Sequence, residues 1–118
     1  MKFTHKLVIA VVLALFVLIT LGADESSSNR IQITAKRFAF VPDKITVKKG
    51  QSVTLVLQSQ DVTHGLSVKE LGIKTEIPKG RPTIISFIPA KTGTFQGQCS
   101  HFCGSGHGSM KFTVVVTE

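Results

Sequence analysis

The chain lacks tryptophan and tyrosine altogether and holds only two cysteines in 118 residues. Cys99 and Cys103, four positions apart, exclude a disulfide framework and leave a single metal site or a single small-loop disulfide. Acidic residues are also scarce, seven against fourteen lysines and arginines, for a net charge of +7. No internal repeat and no low-complexity run is present. The sequence offers no paired acid and base, no nucleophile beside a base and no phosphate-binding glycine loop, which excludes catalysis by this chain alone.

What is present begins with an apolar leader. Lys2, His5 and Lys6 precede the unbroken run from Leu7 to Leu21, the pattern of an export signal. Thr20 and Gly22 can serve as the small residues of a cleavage site, while the run is just short of a comfortable membrane span. Residues 1–23 are therefore read as a signal peptide or as a single N-terminal membrane helix. The basic residues before the run keep its start cytoplasmic, so everything after Asp24 is expected on the extracytoplasmic, periplasmic side. Nucleic acid is excluded there as a partner. The polar stretch 24–30 reads as a linker, and 31–118 as one domain.

From Ile31 onward the hydrophobic period is two, with turn residues at short intervals. Ile31 and Ile33, Phe38 and Phe40, and Ile45 and Val47 alternate with polar neighbours, and Val53, Leu55 and Leu57 form the clearest strand. Further strands are expected over Thr63 to Val68, Thr83 to Ile88, Thr94 to Gln98 and Lys111 to Val116. Seven or eight short strands without a helical pattern predict an all-β sandwich.

The stretch CSHFCGSGHGSM, Cys99 to Met110, crowds both cysteines, His101, His107 and Met110 into the loop before the last strand. His64 opens a mid-chain strand and is one more candidate ligand. Thiolate, imidazole and thioether together are softer than zinc or iron sites usually need, so copper is the metal this set suggests.

From about Ile31 to Thr117 the chain resembles the copper-binding domain of cytochrome c oxidase subunit II, a cupredoxin of Greek-key topology with a binuclear CuA centre. The resemblance rests on FAFVPDKITVKKG, DVTHGLSV, LGIKTEIPKGR and GQCSHFCGSGHGSM, whose last part fits C-x3-C-x3-H-x2-M. It looks most like the compact bacterial branch. It implies that Cys99 and Cys103 bridge two copper ions, that His64 and His107 each bind one, and that Met110 and the backbone carbonyl of His101 are weak ligands. It implies electron transfer from a donor such as cytochrome c to the catalytic subunit of a heme-copper oxidase, with membrane attachment if the leader is kept. Lys74, Glu76 and Arg81 match family positions that face that subunit. His101 departs from the family, which often has glutamate there. The tryptophan-rich entry patch of many members is missing, which leaves Phe38 and Phe40 as aromatic candidates near it.

Other readings stay open on the residues alone. The cysteines could form a disulfide, His64 could be a strand histidine, Met110 core filler, and Asp61 either an orienting acceptor for His64 or a plain loop residue. Phe38, Phe40 and Phe102 could be packing residues. A mononuclear blue-copper carrier would use His64, Cys103, His107 and Met110 and leave Cys99 spare. A copper-delivery protein also uses C-x3-C, though early in a thioredoxin-like fold. After the leader, twelve basic residues face seven acidic ones, so the donor is expected to be acidic or to dock through apolar contact. Lys44, Lys48, Lys49 and Lys69 also suit strand edges that must resist pairing.

Overall fold

The structure is a computed structural model that describes residues 29–118; the leader and residues 24–28 of the expected linker lie outside the described residues. Among the described residues nine strands follow one another: β1 (Asn29–Lys36), β2 (Ala39–Val41), β3 (Lys44–Lys48), β4 (Val53–Ser59), β5 (His64–Val68), β6 (Ile73–Ile77), β7 (Thr83–Phe87), β8 (Gly93–Gln98) and β9 (Lys111–Thr117). Single 3₁₀ turns lie at Lys69–Leu71 and His107–Ser109.

Two sheets form, one in the order β2-β1-β4-β7 and one in the order β3-β9-β8-β5-β6. Period-two alternation decides their inner faces. In β4, Val53, Leu55 and Leu57 point inward, and in β9 Phe112, Val114 and Val116 do. These meet Ile33 and Ala35 of β1, Ile45 and Val47 of β3, and Leu66 and Val68 of β5 in one core. Each large side chain buried there contributes about 1.5–3 kcal/mol relative to exposure. The Phe40 and Phe112 rings meet edge to face at 5.7 Å.

Two differences from the sequence expectation have simple causes. Asn29 and Arg30 pair with Val53 and Thr54, so β1 begins two residues before the expected domain start. β6 is an additional strand, pairing Ile73 to Ile77 with β5. Its buried Ile73 and Ile77 flank exposed Lys74 and Glu76, a period-two pattern inside the stretch LGIKTEIPKGR.

Topology gathers the chemistry at one end. β1 and β4 run parallel, so the turn after β1 and the loop after β4 leave the sheet on the same side. β8 runs antiparallel to β5 and ends at Gln98 opposite Ser67, so the chain that follows it continues along β5 toward His64, with Ser100 N donating to Gly65 O at 3.4 Å.

Candidate metal centre

His64 is the first residue of β5 and is completely buried. Its Nε2 lies 2.7 Å from Asp61 Oδ1. Burial pushes the Asp61 carboxyl up, but the Arg37 amide, the His64 ring and the Val62 amide outweigh it and hold the group at about 2. A carboxylate only accepts, so Nε2 carries a proton, and in the neutral ring Nδ1 then keeps its lone pair. Nδ1 is buried without any hydrogen-bond partner. An unpartnered buried acceptor is costly, and here it has a use. A ring nitrogen of His64 and the sulfurs of Cys99 and Cys103 lie within 4.8 Å of one another.

Both cysteines are buried free thiols, with their sulfurs 3.9 Å apart. Cys103 Sγ also lies 3.8 Å from His107 Nδ1 and 3.5 Å from Met110 Sδ. Burial, and then the neighbouring Cys99 sulfur, push the Cys103 thiol up to about 11. A metal cation would reverse that preference, because it binds the thiolate. His101 is placed differently. Its carbonyl accepts from Cys99 Sγ at 3.2 Å, while its exposed ring turns outward to Glu76, Nδ1 to Oε1 at 3.6 Å. His64, Cys99, Cys103, His107 and Met110 thus converge as side chains, and His101 joins them by its backbone. An unpartnered imidazole nitrogen, two thiols and a thioether fit a soft cation such as copper.

The loop is held tightly. Cys99 N donates to Met110 O at 3.1 Å and closes its base. A Cβ at Gly65 would stand 2.4 Å from Ser100 Oγ and 3.1 Å from His101 N, so strand and loop lie close enough that a side chain there would displace the serine hydroxyl and press on the loop backbone. A Cβ at Gly106 would stand 2.4 Å from the Phe38 ring, which also lies against Gly104. Phe38 therefore covers the loop, with 37% of its surface exposed, whereas Phe40 is 1% exposed and belongs to the core. The expectation of two aromatic residues near the surface holds for Phe38 alone. Phe102, between the cysteines, is 76% exposed, and its ring lies 5.8 Å from that of His107. A depression of about 250 Å³ beside it is lined by Arg37, Val62, Thr63, His101, Phe102, Cys103 and Gly104.

Arg37 is the participant that the sequence did not reveal. Its Nε donates to the Cys103 carbonyl at 2.8 Å, across 66 positions of chain.

Comparison with known proteins gives a family match. The model of the cytochrome c oxidase subunit II periplasmic domain matches residues 6–117. The "Probable cytochrome c oxidase subunit 2" of Rickettsia prowazekii (strain Madrid E) is 32% identical over 92 residues, covering 78% of this chain and 29% of the relative, so the chain spans less than a third of that protein's length. The crystal structure of the periplasmic domain of subunit II of cytochrome oxidase of Bradyrhizobium japonicum superposes with a TM-score of 0.71 at 24% identity, over 76% of this chain and 84% of that one. A cryo-EM structure of a heme-copper terminal oxidase dimer contains a chain that matches with a TM-score of 0.69 at 21% identity, over 98% of both chains. At these identities the likeness to the solved structures is one of fold. The match over nearly the whole chain places it in a family: this protein belongs to the cytochrome c oxidase subunit II periplasmic-domain family.

Proposed function

We propose that this chain is an extracytoplasmic one-electron carrier with a binuclear copper centre, the electron-input domain of a heme-copper oxidase. Cys99, Cys103, His64, His107 and Met110, with the His101 carbonyl, would hold the copper ions. When bound, the copper pair would supply a one-electron redox couple. The observation that carries the reading is the fully buried His64, whose Nδ1 has no partner and whose ring has a nitrogen within 4.8 Å of two free thiols that stand 3.9 Å apart.

The chain's own residues hold the site rigid and dry. Asp61 fixes the His64 ring, burial keeps water from the sulfurs, and the base of the loop is closed by its own backbone. Electrons would arrive from cytochrome c or another small redox protein and leave toward the oxidase catalytic subunit. Glu76, beside the His101 ring, brings a position of the KTEIPKGR stretch to this end of the sandwich, which supports docking here. Copper titration of the metal-free chain tests the reading: two coppers per chain and a purple colour are expected, and saturation at one copper with an intense blue band contradicts it.

A further inference from the structure

His64 begins β5 and Cys103 lies in the loop after β8, and one residue of the turn after β1 bonds to the supports of both. Arg37, in the turn between β1 and β2, gives its main-chain N–H to Asp61 Oδ2 at 2.7 Å and its side-chain Nε–H to the Cys103 carbonyl at 2.8 Å. The other oxygen of Asp61 holds His64 Nε2 at 2.7 Å. A continuous path of hydrogen bonds therefore runs from Cys103 through Arg37 and Asp61 to His64, and it needs no metal to exist.

We propose that Arg37 is a positioning residue for the metal centre: it sets the placement of Cys103 relative to His64 before a metal arrives and holds the ligand loop on that placement afterwards. The proposal rests on the metal-centre reading above. The loop needs such a tie. Glycines at 104, 106 and 108 leave its backbone permissive. Its main-chain bonds from His107 to Gly104, Ser109 to Gly106 and Met110 to His107 fasten the loop to itself. Arg37 fastens its middle to the sandwich, and Phe38, the next residue, lies against Gly104 and Gly106 from the same side. A guanidinium suits the task because its Nε–H has a fixed direction in a planar fork, whereas a lysine offers a rotating point charge.

Arg37→Met and Arg37→Lys in the full chain test this. Both keep the main-chain amide, so the bond to Asp61 survives. In the metal-free chain, the amide resonances of Cys103 and Gly104 and the ring resonances of His64 should shift in both variants. After copper loading, both should release copper to a chelator about 10-fold faster or more, with an altered visible spectrum. Wild-type release and spectrum in the Lys variant, with changes only in the Met variant, would show that charge alone matters and overturn the proposal. So would a lower melting temperature in both with release and spectrum unchanged. The Lys variant carries the full prediction by itself, so loss of folding in the Met variant leaves the test standing. The wild-type copper count separates the two claims. One copper in wild type contradicts the binuclear reading, and retention of that ion then tests Arg37; two coppers with unaltered variants contradict only the role of Arg37.

Discussion

Replacing Asp61 with Asn should remove a pH-dependent part of the stability of the metal-free chain. Burial opposes ionisation of this carboxyl, but the Arg37 amide, the His64 ring and the Val62 amide bring it from its ordinary 3.8 to about 2. At 1.36 kcal/mol per pKa unit the full shift corresponds to about 2.4 kcal/mol. A third of the side chain is in contact with water, so about 1–1.5 kcal/mol is the expected contribution. The folded value lies below the unfolded one. The stabilisation is therefore complete above about pH 4 and is lost as the pH falls toward 2. Urea unfolding of wild type and Asp61→Asn at several pH values isolates this group, because the other carboxylates are common to both. The difference should be about 1–1.5 kcal/mol at pH 7 and near zero at pH 2. A difference that stays constant across that range would refute the argument that these contacts recognise the ionised form.

Cys99→Ser should leave at most one copper per chain by elemental analysis, since a hydroxyl does not bridge soft copper as a thiolate does. His101→Ala should leave the visible spectrum of the copper protein nearly unchanged, because the ring faces Glu76 and only the carbonyl faces Cys99; a large spectral shift would make the imidazole a ligand. Gly106→Ala should cost about 1–3 kcal/mol in chemical denaturation through collision with the Phe38 ring, and Phe38→Ala in the same chain should recover most of it. For electron entry, reduction by a small cytochrome in stopped flow should vary little as salt rises and should slow in Phe38→Ala; a steep salt slope with an unaltered rate in that variant would favour charged docking instead.

Most of the sandwich was legible because half-buried strands repeat every second residue, as Val53, Leu55 and Leu57 do. β6 escaped because Ile73 and Ile77 are its only fully buried residues, so its alternation was carried by few apolar side chains. The two phenylalanines of Phe38-Ala39-Phe40 looked equivalent in sequence. They separate because β2 starts at Ala39, so Phe40 obeys the strand's inward face while Phe38 belongs to the turn and lies on the ligand loop. The ligand loop itself was readable from its spacing, since its donor atoms come from neighbouring positions. Arg37 was not readable: it meets Cys103 only because parallel β1 and β4 bring their following loops to the end of the sandwich that the loop after β8 also reaches. No local pattern near position 37 records that meeting.

Electron paramagnetic resonance of the oxidised, copper-loaded chain, with copper counted in the same sample, tests whether the centre is binuclear. Two coppers per chain are expected, with a single unpaired electron whose hyperfine structure comes from both nuclei equally. One copper per chain with a hyperfine pattern from a single nucleus would contradict it.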